Sequence, residues 1–378
     1  MGQLWRVLAP GRKETTGILG ELAEVLLSGS ASGLVALLAV PVNTHRYQNV
    51  EIVPGENIED NEDEDFECTK RIRTSDLSQN HSSKAVRIEH HDRNIREARN
   101  PDFTSLSSDL HHKIFSNLDT IEDVLRLSLA NKYFWAVGLA HIEDHIVESL
   151  APWAGERIIC VSDQTDPSDY PSDILDPAEQ DDIRELNKVY HLESFSIRNT
   201  YKKIGAPSLS QELQRWFLDY EAKHHMSQTD RAEIMMGLKP EILEFYPRDQ
   251  RWILRNLTTK EYVRGEVIAL KEEFIHGPQI DVIGFSEILI SRISWSSQPE
   301  RVGWSENITK GKWAGHRFDI TPLSLHEERS KNEVWEDVSD EILREIDLII
   351  GGEHGDDWRD LMARQYRKIV RPTLEGFS

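Results

Sequence analysis

Cysteine is scarce in this chain of 378 residues, which contains only Cys68 and Cys160. Neither belongs to a CxxC pair, so the sequence offers neither a disulfide framework nor the ligand spacing of a structural zinc site. This use of cysteine is typical of a reducing compartment. We therefore expect the protein in the cytosol, the nucleus or both.

Basic charge is also scarce. The 44 lysine and arginine residues are outnumbered by 66 aspartate and glutamate residues, which gives a formal net charge of -22 at pH 7. A chain of this charge repels phosphate backbones and anionic lipid surfaces. Nucleic acids and membranes are therefore not expected as partners.

Long apolar runs are limited to residues 25–42, which carry no charge over about the length of a minimal membrane span. Serines and glycines interrupt the middle of this run, and Glu21 and Glu24 lie just before its start. This pattern favours a core-facing helix followed by a loop over a targeting segment or an anchor.

Catalytic and metal-binding patterns are missing as well. Adjacent histidines such as His111 and His112 point in different directions on a helix and cannot share one ligand geometry. Cys160 lies in an apolar strand pattern that is typical of an inert thiol. Because no nucleophile, base and orienting group can be assembled, we expect no enzyme, no metal site and no cofactor.

Residues 43–100 differ from the rest in composition. Residues 56–67 include eight acidic side chains, and the sequence that follows has few apolar anchors. Such a segment cannot bury enough surface to offset its ordering entropy, so we predict an acidic linker without fixed structure. An acidic docking segment is the alternative.

Two tryptophan-led patterns occur twice in the chain. The pattern WRVLAPGRKE starts at Trp5, and WILRNLTTKE starts 247 positions later at Trp252. The pattern WAGERI starts at Trp153, and WAGHRF starts 160 positions later at Trp313. Repetition in the same order predicts a duplicated α+β unit.

A weaker echo lies between these two. LAEVLLS at residues 22–28 resembles FSEILIS at residues 285–291, an offset of 263. The fall in offset from 263 to 160 predicts an insertion in the first copy, at about residues 46–148. Chance recurrence among tryptophan-rich strands is the alternative.

The fold class predicted from these patterns is α+β. Alternating apolar residues predict strands that begin at Trp5 and at residue 157. Helical spacing predicts helices over residues 178–203, 209–226 and 336–350, the last closed by two glycines.

Residues 106–135 carry apolar side chains at helical spacing. Leu110, Ile114 and Leu118 recur every four residues and predict one apolar helix face, with Ser107 as a candidate N-cap. Thr120 then opens a second helix with a capping-box pattern. Asn131 is placed to cap a third helix.

These residues resemble the F-box family. The matching features are a leucine-rich start, Ile114-Phe115, an acidic turn, a Leu-x-Leu-x-Leu helix at residues 125–129, and Lys132-x-Phe134. The chain has Ser107, Asp109 and Asn131 where the family usually has proline, glutamate and cysteine. Residues 1–5, 153–160 and 254–264 also resemble segments of uncharacterised fungal F-box proteins.

The resemblance implies that the chain binds a Skp-type adaptor of a cullin ubiquitin ligase. The adaptor contacts that it implies are Leu106, Leu110, Ile114, Phe115, Leu118, Val124, Leu125, Leu127, Leu129 and Phe134. A separate prediction from aromatic and charged residues is a substrate surface made of Trp295, Trp304, Trp313, His316 and Arg317. Ordinary burial of these tryptophans in a core is the alternative.

The predicted organisation has four parts. Residues 1–42 pack on the C-terminal domain, residues 43–100 form the linker, residues 101–148 form the F-box, and residues 149–378 form a domain expected to recognise a protein substrate. The F-box either interrupts or precedes the α+β domain. The predicted function is that of a substrate receptor, and a non-ligase binding or scaffold protein that uses the same helices is the alternative.

Overall fold

The structure, a computed structural model, describes the following parts of the chain: residues 2–28, 31–42, 103, 106–165, 169–171, 174–175, 177, 181, 201–205, 209–223, 226–238, 245–298, 308–355, 357–364 and 366. The predicted linker, residues 43–100, lies outside them, as does Trp304.

The described strands are β1 (Trp5–Ala9), β2 (Glu14–Thr15), β3 (Ile159–Ser162), β4 (Lys202–Lys203), β5 (Trp252–Asn256), β6 (Glu261–Arg264), β7 (Ile275–His276), β8 (Gln279–Ile280), β9 (Ser294–Trp295), β10 (Phe318–Pro322) and β11 (Glu336–Asp337). The α-helices are α1 (Leu22–Ser28), α2 (Gly33–Leu38), α3 (Ser108–Phe115), α4 (Ile121–Ser128), α5 (Lys132–Ser149), α6 (Leu209–Glu221), α7 (Gln228–Gly237), α8 (Gly265–Ile268), α9 (Phe285–Ile293), α10 (Leu323–Arg329) and α11 (Ser339–His354). This mixture is the predicted α+β class.

Two sheets contain the same four-stranded arrangement. The first has the order β4-β2-β1-β3 with β9 added at its edge, and the second has the order β11-β6-β5-β10. In each, the central strand pairs antiparallel on both sides, and the outer strand β4 or β11 is parallel to its neighbour. We call each set of four strands, with the segments that connect them in the chain, the first and the second repeat; β9 lies between β8 and β10 in the chain and so belongs to the second repeat.

Strand register is also the same in the two repeats. Trp5 lies opposite Ser162 in the first sheet, and Trp252 lies opposite Pro322 in the second. Trp252 comes 247 positions after Trp5, and Pro322 comes 160 positions after Ser162. These are the two offsets found between the tryptophan patterns. The predicted repeat is therefore present as a structural repeat.

Turns and side-chain contacts repeat with the strands. Lys13 and Lys260 both adopt left-handed backbone angles, with φ of 53° and 58°. The Trp153 Nε1 donates to a Glu14 oxygen at 2.8 Å, and the Trp313 Nε1 donates to a Glu261 oxygen at 2.8 Å. Two buried indoles are thus held by equivalent carboxylates.

The two repeats also exchange backbone pairs. β9 of the second repeat runs parallel to β3 of the first, and Ala39 of the first repeat bridges Ile320 on β10 of the second. Such reciprocity is what a local two-fold axis produces, because each half offers the other the same surface.

The weaker echo at residues 22–28 was aligned wrongly by sequence. The Trp153 backbone N–H donates to the Leu37 carbonyl, and the equivalent Trp313 N–H donates to the Arg292 carbonyl. This relates α2, not α1, to the last turns of α9, at an offset of 255. The first repeat is longer between these elements by 255 minus 160, or 95 residues.

Two helix predictions need correction. The helix predicted at residues 178–203 does not reach its end, since Lys202 and Lys203 form β4 and pair with β2; most of the segment before them lies outside the described residues. The helix predicted at residues 336–350 starts only at Ser339, because residues 336 and 337 form β11. It continues past Gly351 to His354 and ends at Gly355, whose φ is 77°.

The main core lies between the two sheets and their helices. It contains the four echoed tryptophans, Trp5, Trp153, Trp252 and Trp313, each at most 2% exposed. The apolar run at residues 25–42 joins this core through α1 and α2, on either side of residues 29 and 30, which are not described. No helix among the described residues combines the length and the apolar character needed to cross a bilayer.

The repeats differ on the other face of their sheets. In the first, Leu8 and Ile159 belong to a small apolar cluster. The equivalent residues in the second are Arg255 and Asp319, which form a two-bond ion pair at 2.8 and 2.6 Å. His326 of α10 lies 3.3 Å from the Arg255 guanidinium, and burial lowers the pKa of its imidazole.

The chain divides into two compact units. One contains residues 1–44 and 114–378, and the other contains residues 45–113. In the second unit, the described residues include Phe103, whose ring meets the His111 ring edge-on at 5.3 Å.

A first prediction tests whether the repeats unfold together. Glu14→Ala and Glu261→Ala each leave a buried indole N–H without its acceptor, and we expect each to lower the free energy of unfolding by about 1–3 kcal/mol. Because the repeats share strands, both variants should shift one common transition in urea, followed by circular dichroism.

Glutamine at either position keeps an acceptor oxygen and should cost less than alanine. Glu336→Ala, on the exposed strand β11, serves as a control and should be nearly neutral. Two separate transitions, each moved by only one of the variants, would show that the repeats are independent.

Glu287 is a buried acid in α9, only 2% exposed. Desolvation raises its pKa to about 7, although hydrogen bonds from the Gly284 N–H and the Ser286 hydroxyl work in the opposite direction. The folded protein therefore holds this proton more tightly than the unfolded chain does.

A second prediction follows from this difference. The stabilisation by protonated Glu287 is complete below the unfolded pKa near 4.5 and is lost as the pH rises through about 7. In the unaltered chain, Glu287 should lower the free energy of unfolding by roughly 3 kcal/mol between pH 4 and pH 8. Glu287→Gln should abolish this decrease, as measured by urea unfolding at each pH. Glu336→Gln is the control, and an unchanged slope in Glu287→Gln would contradict the assignment.

Candidate functional site

The F-box-like segment, residues 106–134, contains α3, α4 and the start of α5, and side chains cap the last two of these helices. The Thr120 hydroxyl accepts a hydrogen bond from the Asp123 N–H at 3.2 Å and caps α4. The Asn131 amide oxygen accepts from the Phe134 N–H at 2.8 Å and caps α5. Both caps are those predicted from the sequence. Hydrogen bonds from Thr120 and Arg126 lower the pKa of the Asp123 carboxyl.

One side of this segment is core. Phe115, Val124, Leu125 and Phe134 are each at most 2% exposed. The Phe115 ring lies 6.3 Å from Phe134 and stacks on His141 at 5.4 Å. These four predicted adaptor contacts thus build the protein's own helical cluster.

The cluster is completed by α6 and α7, whose part in it was not expected from the sequence. Leu213 and Phe217 of α6 and Ile234 of α7 are buried in the same cluster. Arg126 of α4 places its guanidinium 5.7 Å from the Trp216 ring centre. The sequence predicts the helix α6, since residues 213 and 217 are apolar and one helical turn apart. It does not predict that these residues pack on the F-box-like helices.

The remaining predicted adaptor contacts reach solvent. Leu118, Leu127 and Leu129 are half-buried and pack against the edge of the helical cluster. Ile114 and Leu106 are also half-buried, and Leu110 is 47% exposed. These six side chains keep apolar surface that the described part of the chain does not cover.

The predicted substrate surface is not assembled as expected. Trp313 is 2% exposed and belongs to the main core, so its place in that surface was wrong. It is buried because its indole N–H reaches Glu261 and its ring supports Arg292, whose guanidinium lies 4.6 Å from the ring centre.

The other described members of that surface have local roles. Trp295 donates its N–H to the Asp169 carbonyl at 2.6 Å, and the Lys310 ammonium lies 4.1 Å from its ring centre. His316 is half-buried, with its Nδ1 3.0 Å from the Asn256 amide nitrogen. Arg317 is exposed, and its guanidinium donates to the Gly155 carbonyl at 2.7 Å.

Groups that could carry chemistry are few in the described structure. Cys160 is fully buried, and desolvation raises the pKa of its thiol to about 12, so its reactive thiolate is suppressed. No group of three or more histidine, cysteine, aspartate or glutamate side chains in the described ranges could hold a metal ion. The candidate site is the apolar surface that the described residues leave uncovered at Ile114, Leu118, Leu127 and Leu129.

Comparison of the chain with protein-family models, with curated proteins and with solved structures gives no match.

Proposed function

We propose that this protein is a substrate receptor of a cullin-based ubiquitin ligase, in the cytosol or the nucleus, and that it binds a Skp-type adaptor through its F-box-like segment. Ubiquitin transfer is carried out by the partners. The receptor only positions an unidentified protein substrate, so the proposal requires no catalytic group in this chain.

The observation that carries the proposal is the division of the segment into two sides. From residue 114 onward, one side is buried in the helical cluster, while Ile114, Leu118, Leu127 and Leu129 keep apolar surface in solvent. Complete burial of such a side chain is worth roughly 1.5–3 kcal/mol, so covering the exposed remainder gains about 1 kcal/mol each. Several of them together are needed to offset the cost of association.

A second function is favoured by the helical cluster itself. Leu213, Phe217 and Ile234 pack on the F-box-like helices, so these helices already stabilise the chain's own fold. In this alternative the protein is a binding or scaffold protein outside any ligase, and the segment is core. The two proposals differ in whether adaptor and cullin are recovered together.

A third prediction tests adaptor binding. Leu110→Asp with Ile114→Asp places charge on partly exposed side chains of α3, where solvation is available in the free protein but would be lost at a contact. We expect the affinity for a purified Skp-type adaptor to fall at least about tenfold for each substitution. Isothermal titration calorimetry measures it.

The matched control is Leu218→Asp with Met236→Asp, which alters side chains that are 44% and 77% exposed on α6 and α7. This control should retain adaptor binding. Leu125→Asp, at a fully buried site, should unfold the helical cluster and so serves only as a folding reference. Equal adaptor binding by the α3 variant and the unaltered chain would refute the proposal.

Recovery of the cullin with the adaptor, in purification of the full chain, separates the receptor from the scaffold. Recovery of adaptor without cullin would favour the scaffold.

A further inference from the structure

A cavity of about 170 Å³ opens beside the corner between α4 and α5, on the side that faces α7. It is smaller than the roughly 300–1,000 Å³ typical of sites for drug-sized molecules. Its volume suits one large side chain of a partner. The cavity is lined entirely by residues of α4, α5, α7 and their connections, within one compact unit.

The walls of the cavity are apolar. Leu129, Trp135 and Ile234 line it, and the last two are at most 7% exposed, so their positions are fixed by the helical cluster. The Trp135 Nε1 is buried and donates to no acceptor in the described residues. Because the helical cluster holds Trp135 and Ile234 in place, the wall can receive an aliphatic stem without rearrangement of the core.

The rim of the cavity is acidic. Asp230 and Glu233 lie one turn apart on α7, and both carboxylates reach solvent. Asp230 accepts a hydrogen bond from the Ser227 hydroxyl at 2.8 Å, which holds it at the start of the helix. Lys132 is the one basic residue among those lining the cavity, so the net charge of the lining is negative.

Lys132 only weakly neutralises this rim. Its side chain is 92% exposed, and its ammonium lies 4.0 Å from the Asp230 carboxylate, at the limit of an ion pair. Exposed pairs of this kind contribute little and are screened by salt. A basic side chain of another protein can therefore replace Lys132 beside Asp230.

We propose that this cavity is a docking site for a lysine or arginine side chain in an extended segment of a partner protein. The methylene stem of that side chain lies against Leu129, Trp135 and Ile234, and its charged end meets Asp230 and Glu233. Long basic side chains commonly bury their stems on apolar surface while the charged end stays at the rim. The cavity shares Leu129 with the proposed adaptor contacts, whereas its acidic rim, Asp230 and Glu233, lies outside them.

The test uses a fluorescein-labelled heptapeptide, Gly-Ser-Leu-Arg-Leu-Gly-Ser, and fluorescence polarisation with the full chain. Saturable binding is expected for this peptide and for its lysine counterpart. A peptide with citrulline in place of arginine keeps the shape without the charge and should bind about three- to fivefold more weakly, and a glutamate peptide should not bind. Binding should weaken as salt is raised.

Variants of the chain locate the contact. Asp230→Asn with Glu233→Gln removes the rim charge, while asparagine keeps an oxygen for the Ser227 hydroxyl, and this variant should bind the peptide about three- to fivefold more weakly. Asp219→Asn with Glu148→Gln removes two exposed charges from α6 and α5 outside the cavity and should change nothing. Lys132→Ala removes the internal competitor and should tighten binding about twofold.

The outcomes are separable from those of the proposed function. Equal binding of the arginine and citrulline peptides, or equal binding by the rim variant and the unaltered chain, would overturn the docking site. The rim variant is expected to retain the adaptor. Loss of peptide binding with the adaptor retained supports the docking site, whichever function the adaptor experiment favours.

Discussion

The fold depends on the exchange of backbone hydrogen bonds between its two repeats. β9 belongs in sequence to the second repeat and pairs with β3 of the first, while Ala39 of the first pairs with β10 of the second. The Gly155 N–H donates to the Phe318 carbonyl, and the equivalent Gly315 N–H donates to the Ile158 carbonyl. A buried strand edge without these partners would leave peptide groups unsatisfied, so neither repeat is complete without the other.

This exchange explains how the chain accommodates a long insertion. The first repeat stays paired with the second as far as Val42, whose backbone N–H donates to the Phe245 carbonyl, and it pairs again at Trp153, whose backbone N–H donates to the Leu37 carbonyl. Both ends of the insertion are therefore fixed at one place on the body. The entropy cost of closing such a loop grows only slowly with its length, so a helical segment with its own core can be carried there.

The repeats keep their core and differ where they meet other parts of the molecule. The four tryptophans of the core are retained, but Leu8 and Ile159 in the first repeat correspond to Arg255 and Asp319 in the second. A similar division applies to the F-box-like segment, whose buried side chains hold helices together while its exposed leucines remain available. In both regions the inner face preserves the fold and the outer face is free to differ.

Sequence alone determined the repeat, the helix caps and the apolar faces, because these depend on local spacing. The offsets of 247 and 160 between tryptophans reappear unchanged in strand register, and Thr120 and Asn131 cap the helices that follow them. Only the tertiary structure decided which apolar residues are covered. The sequence predicts Trp313 as a surface aromatic, but in the structure it is buried beside Glu261 and Arg292. The sequence predicts Leu125 as a partner contact, but in the structure it is buried in the cluster that includes α6 and α7. Whether an apolar side chain is buried depends on residues that are distant in the chain. Local spacing in the sequence therefore does not show which apolar face those residues cover.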